Sequence, residues 1–204
     1  MGSIVKRVMR IKISLLFGLG LLLTACGSSD QDDSYVPKPK GYNRIVLPPH
    51  QYQRLEGTYP YTFDYSRSAV ILPDTFAGAE KNWIFIYYPR FNANIQLTYK
   101  EVRNSPVRLK DFIDDTYKLA SKHQIRASAL QEQTIQTETG RTATLFRLNG
   151  DVPTPFQFYT TDSTTHYLRG AIYFPTATKN DSLAPVIDFI QKDAMRLLNT
   201  LRWK

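Results

Sequence analysis

The chain has 204 residues, 42% hydrophobic and 13% aromatic, which is enough for one packed domain with tails and unlike a collagenous or disordered composition. A single cysteine excludes an intramolecular disulfide and any cysteine metal cluster, so packing and backbone hydrogen bonding must hold the domain together. The net charge of +8 overstates the basic character: four of the 26 basic residues lie in the first twelve positions, and the other 22 face 18 acidic ones, with no Lys/Arg block and no zinc or helix-turn-helix spacing to suggest nucleic-acid binding.

The N-terminus reads as an export signal. Lys6, Arg7, Arg10 and Lys12 form a basic region, and Ile13 to Leu23 an apolar run. That run is shorter than the roughly 20 apolar residues a bilayer span requires. Leu23-Thr24-Ala25-Cys26 then resembles the lipobox of bacterial lipoproteins, in which the cysteine thiol takes a diacylglyceryl group before signal cleavage. Residues 1–25 are thus expected to be a lipoprotein signal peptide and Cys26 the lipidated first residue of the mature chain. A free cysteine is ordinarily a small buried residue. The Gly, Ser, Asp and Gln residues of 27–34 cannot bury their backbone, and they offer no electropositive setting to activate a thiol.

Residues 26–34 form an acidic tether, and 35–57 a proline-rich arm. "YVPKPKGYNRIVLPPHQY" (Tyr35 to Tyr52) carries four prolines, which favour an extended, polyproline-like course. The arm reads either as a spacer or as a partner-binding segment, with Tyr35, Lys38, Lys40, Tyr42 and Arg44 as candidate contacts. A single α+β domain is expected over 58–204.

Strands dominate after Thr58. "TYPYTFDY" and "SAVILP" predict a hairpin about Ser66-Arg67. "NWIFIYYP" is an apolar, β-branched and aromatic run, as in a central or doubly buried strand. In "ANIQLTYK" the residues Ile95, Leu97 and Tyr99 alternate with Asn94, Gln96 and Thr98, so one face of that strand should be wet. Leu109, Phe112, Ile113, Thr116, Leu119, Ala120 and His123 then recur at helical spacing after Ser105-Pro106. Lys110, Asp111, Asp114, Asp115, Lys118 and Lys122 take the opposite face.

Four strands follow, "SALQEQTIQT", "RTATLFRLNG", "TPFQFYTTD" and "HYLRGAIYF". Their short links predict an antiparallel meander. A terminal helix begins near Asp181-Ser182, with Pro185 in its first turn and Leu183, Val186, Ile187, Ile190, Ala194, Leu197, Leu198 and Leu201 as its apolar stripe. The fold class expected is α+β, an antiparallel sheet of about six strands with two packed helices. A PsbP/Mog1-like sandwich is one precedent for this element order.

Sites for chemistry are sparse. His50, His123 and His166 lack metal-ligand spacing. Asp162, Ser163 and His166 share a turn without a nucleophile elbow. Asp111, Asp114 and Asp115 fit a helix-dipole placement better than a cation site. No glycine-rich phosphate loop occurs. The reading is a non-enzymatic protein with no catalytic residue, metal or cofactor.

Taken with the lipobox, the blocks "YVPKPKGYNRI", "WIFIYYPRFNANIQLTYK", "DDTYKLASKH", "PFQFYTTDSTTHYLRGAIYF" and "NDSLAPVIDFIQKDAMRLLNTLRWK" resemble the gliding-motility lipoprotein GldD family of the Bacteroidetes. The resemblance implies a cell-envelope lipoprotein required for gliding and linked to type IX protein secretion, without known catalytic residues. It implies a non-catalytic assembly or stabilising factor whose partners are other motility and secretion envelope proteins, with a membrane anchor on Cys26. Gly27 does not mark inner-membrane retention, and Asp30, Asp32 and Asp33 resemble acidic surface-export signals, which favours the outer membrane. The alternative is a glycan- or peptidoglycan-binding or hydrolytic module at the membrane, with Tyr59, Tyr61 and Tyr65 as a sugar platform.

Overall fold

Alternating apolar residues on β6 (Ala93–Glu101) determine which way the sheet faces. Ala93, Ile95, Leu97 and Tyr99 are buried while Asn94, Gln96 and Thr98 are only half-covered, as the period-two pattern predicts. The computed structural model describes residues 44–124, 127–175 and 180–204, except for the side chains of His123, Gln124, Asn180 and Asp181. Cys26, Tyr35, Lys38, Lys40 and Tyr42, and the side chains of His123 and Asp181, therefore lie outside the described residues.

The described chain forms β1 (Tyr52–Arg54), β2 (Tyr61–Thr62), β3 (Asp64–Ser66), β4 (Val70–Pro73), β5 (Ile84–Tyr88) and β6. Helix α1 (Pro106–Gln124) follows, then β7 (Ala127–Gln136), β8 (Thr142–Gly150), β9 (Phe156–Thr161), β10 (His166–Tyr173), helix α2 (Asn180–Thr200) and β11 (Arg202–Trp203). The main sheet has seven strands in the order β4-β5-β6-β10-β9-β8-β7, antiparallel throughout. Strands β7 to β10 make the expected meander. Helix α1 carries the chain from β6 to the far edge, so that β10 returns beside β6 with Leu168 opposite Tyr99 and Ile172 opposite Ile95. The fold is α+β, with one strand more in the main sheet than expected.

The two helices cover opposite faces. Val186, Phe189, Ile190, Ala194, Leu197 and Leu198 of α2 join Ile86, Ile95, Leu97, Leu145, Phe158 and Leu168 in the main core. Burial of that stripe stabilises the fold at about 25 cal/mol per Å² of apolar surface removed from water. Helix α1 packs on the other face through a smaller cluster of Ala120, Phe146, Leu148 and Val152. Its Thr116 hydroxyl meets the Tyr167 hydroxyl at 2.5 Å. Ser105 caps α1 by accepting the Arg108 N–H, and Arg103 and Asn104 turn the chain into it at positive φ. No acidic residue lies in its first turn. Asp111, Asp114 and Asp115 are exposed further along, where Lys110 pairs with Asp114, so their placement owes more to an i,i+4 ion pair than to the dipole. Pro185 falls in the second turn because α2 begins at Asn180.

Three other expectations need correction. The segments on either side of Ser66-Arg67 do not form a hairpin: β4 pairs with β5, β3 pairs with β1, and β2 pairs with the C-terminal β11. With no primed-turn residues at that corner, longer-range partners with better registers compete successfully. Strand β5 is central, between β4 and β6, as one of the two expected alternatives has it, but it is not buried on both faces, since Phe85 and Tyr87 lie half-exposed over the part of the sheet that α1 leaves open. Residues 44–57 run along the body rather than away from it. Ile45 and Leu47 pack against the main core and Leu55 is buried, so residues 45–57 are part of the folded body along with the expected 58–204.

Candidate functional site

What holds residues 44–57 on the body is a carboxylate in an unusual place. Asp193 sits on the apolar stripe of α2, between Ile190 and Leu197, and is 2% exposed. A buried carboxylate is costly unless every lone pair finds a donor. One oxygen accepts from the Tyr88 hydroxyl of β5 at 3.0 Å. The other meets His50 Nδ1 at 2.8 Å and accepts from the Tyr52 hydroxyl at 3.1 Å. The His50 ring stacks on Phe189 of α2, centroids 4.4 Å apart. Burial raises the Tyr88 hydroxyl well above its ordinary value, and the Asp193 charge adds to the effect. The same two causes push Tyr52 up to about 12. Both therefore remain protonated donors.

The result is a latch of two arm residues, one helix residue and one strand residue. Around it Asp64 bridges Arg54 and Arg196 at 2.9 and 2.7 Å, and Arg67 donates to the Tyr52 carbonyl. Arg44, the candidate arm contact that is described, is exposed just before the docked stretch. Composition alone missed the latch, because a proline-rich arm gives no periodic signal. The legible clue was Asp193 itself, a carboxylate on a helix stripe where Phe189, Ile190 and Leu197, three of its four neighbours at i±3 and i±4, are apolar.

A second polar cluster closes the other end. His166 Nδ1 lies 2.8 Å from the Tyr99 hydroxyl, and its ring stacks on Trp203 of β11 at 4.9 Å. Burial holds the His166 pKa below its ordinary value, against the opposing charges of Asp162 and Glu101. Asp162 Oδ1 accepts the backbone N–H groups of Thr164, Thr165 and His166. Burial alone would raise that carboxyl, but these three bonds outweigh it and hold it below 3.8. Asp162 therefore caps its own turn, with Ser163 at φ 68°, and the structure does not assemble Asp162, Ser163 and His166 as a triad. Tyr61, expected on a sugar platform, is fully buried, with its hydroxyl donating to the Asn82 carbonyl.

The described residues contain no group of three His, Cys, Asp or Glu able to hold a metal ion. None of their helices is long and apolar enough to cross a membrane. The surface offers open clefts, among them one between α2 and β8 of about 450 Å³ beside Arg147, Asp188 and Gln191. It also offers strand edges. The ten-residue β7 ends the sheet with its outer edge unpaired among the described residues, and most of its side chains are exposed.

No curated protein matches the chain. The solution structure of cyanobacterial PsbP (CyanoP) from Synechocystis sp. PCC 6803 is similar over 79% of this chain and 98% of that one, at 12% identity and a TM-score of 0.40. The family model described as gliding motility lipoprotein GldD matches residues 32–203, which takes in the arm, both helices and every strand, and the chain belongs to that family.

Proposed function

We propose that the protein is a non-catalytic assembly or stabilising factor for other envelope components of the gliding apparatus and of the type IX secretion machinery. The observation that carries this reading is the family match over 32–203. In the proposed arrangement Cys26 bears the lipid, the outer membrane holds it, and residues 27–43 lead to a folded body whose polar interior groups serve packing. Asp193 is engaged by Tyr88, Tyr52 and His50, and His166 by Tyr99 and Trp203. Surface is then what remains for work, and partners are other motility or secretion lipoproteins. Tyr35, Lys38, Lys40, Tyr42 and Arg44 are the proposed contacts, because they immediately precede a segment clamped in place. A clamped base reduces the ordering entropy that a partner must overcome.

The test is a Lys38→Ala/Lys40→Ala/Arg44→Ala variant, scored for gliding and for secretion of adhesins at matched protein level. Loss of either function with normal accumulation supports the arm as a binding surface. Unchanged function removes it from the proposal.

A further inference from the structure

Helix α1 lies chiefly over the β7, β8 and β10 side of its sheet face. The rest of that face, over β5, β6 and the end of β10, is a cleft of about 390 Å³ open to solvent, within the size range of small-ligand sites. Register places the residues of its floor. Phe85 lies opposite Gln96, and Asn94 lies between Tyr87 and Tyr173, so these side chains share one face in two cross-strand rows. The wall is the loop after β4, where Asp74 Oδ1 accepts the Phe76 N–H at 3.0 Å and Asp74 Oδ2 accepts from Gln96 Nε2 at 3.1 Å. That loop holds the Phe76 ring out at 73% exposure, the most exposed large apolar side chain among the described residues. Gly78 lies under the ring, where an added Cβ would come within 3.2 Å of it.

The chemistry of this lining is selective. Its residues include one carboxylate and no cation, which disfavours a phosphate, sulfate or uronate. Its polar groups offer acceptors as well as donors. Asn94 Oδ1 is buried without a partner among the described residues, and Gln96 gives one amide N–H to Asp74, leaving its carbonyl oxygen and a second N–H for a ligand. A buried acceptor left unpaired costs about 1–3 kcal/mol until a donor arrives. The ligand that fits is therefore neutral, rich in hydroxyl or amide N–H donors, and flat enough on one side to lie against Phe76, Phe85 and Tyr173. A pyranose ring has those properties, with hydroxyls at its edge and C–H groups on its face.

We propose that this cleft binds a neutral saccharide, with the ring against Phe76, a hydroxyl or acetamido N–H donated to Asn94 Oδ1, and Asp74 and Gln96 setting its orientation. This goes beyond the assembly role and does not depend on it, since the described part of the arm, residues 44–57, is held to α2 through His50 and Tyr52, on the other side of the sheet.

The test is titration of the full-length lipoprotein, in a detergent without sugar headgroups, with chitotetraose and with mannotetraose, read by calorimetry and by chemical-shift changes. Saturable binding of either one, weakened about tenfold or more in both Phe76→Ala and Asn94→Ala and retained in Phe76→Trp, supports the proposal. Both alanine variants must keep wild-type circular dichroism. Absence of saturable binding of either sugar up to about 10 mM overturns it, as does equal affinity in both variants. Capture of a protein strand at this face with no effect of either sugar overturns it as well.

Discussion

Asp193→Ala removes the acceptor that three donors share, and its cost can be worked from their exposures. Tyr88 is 1% exposed, so its hydroxyl has no water to turn to and should lose the full penalty of a buried unpaired donor, about 1–3 kcal/mol. Tyr52 and His50 reach solvent, His50 with 34% of its side chain, so water replaces most of what they lose and each contributes about 0.5 kcal/mol. Alanine returns about 0.5 kcal/mol through its helix propensity, and the burial cost of the carboxylate is relieved, so the net loss should be about 1–3 kcal/mol. That is a large share of a typical net stability of about 5–15 kcal/mol. Urea unfolding followed by far-ultraviolet circular dichroism measures it. The coupling can be isolated with Tyr88→Phe, because in the double variant no hydroxyl is left stranded and its loss should be smaller than the two single losses summed by about 1 kcal/mol or more. Limited proteolysis should also cut near Gln51 sooner in Asp193→Ala than in the parent. A single variant within about 0.5 kcal/mol of wild type, or strict additivity in the cycle, would refute the latch.

Gly170 faces Phe158 across the β10–β9 pair, and an added Cβ would lie 2.1 Å from the ring, so Gly170→Ala should destabilise by about 1–3 kcal/mol through overpacking, with Phe158→Leu in the same chain recovering part of the loss in urea melts. His166 is depressed in the native state, so the unfolded chain binds the extra proton first: its contribution is complete above its ordinary 6.5 and is lost as pH falls through the lower native value, and His166→Gln should flatten the thermal-stability profile in that window. Tyr61, Tyr88 and Tyr167 are raised chiefly by burial, so stability should hold below pH 10 and fall as pH rises past it, with their phenolate absorbance emerging only as the protein unfolds. Cys26→Ser should abolish lipid labelling and leave full-length precursor on immunoblots; continued labelling would remove the anchor assignment.

Local patterns were the readable part of this fold. Alternation in β6, the short links of β7 to β10 and the stripe of α2 each state their own geometry, because side-chain period and loop length act within a few residues. Pairings between distant segments left no such trace. Nothing in Tyr61-Thr62 indicates that Arg202-Trp203 will lie beside it, and β6 and β10 meet only because α1 carries the chain across the sheet and the meander brings it back. The arm was misjudged for a related reason. Prolines dictate its extended course, but its attachment comes from His50 and Tyr52 reaching a carboxylate more than 140 positions away. The tyrosine platform failed at Tyr61 because an aromatic residue on a strand belongs to the core by default, whereas the exposed ring stands in a loop, at Phe76.

In the proposed role this lipoprotein works by holding other envelope proteins. Crosslinking of tagged protein in intact cells, followed by purification and mass spectrometry against a control lipoprotein of similar abundance, measures that directly. Enrichment of motility or secretion envelope components, reduced in the Lys38→Ala/Lys40→Ala/Arg44→Ala variant, is the predicted result. Recovery of none of them above the control would contradict the account.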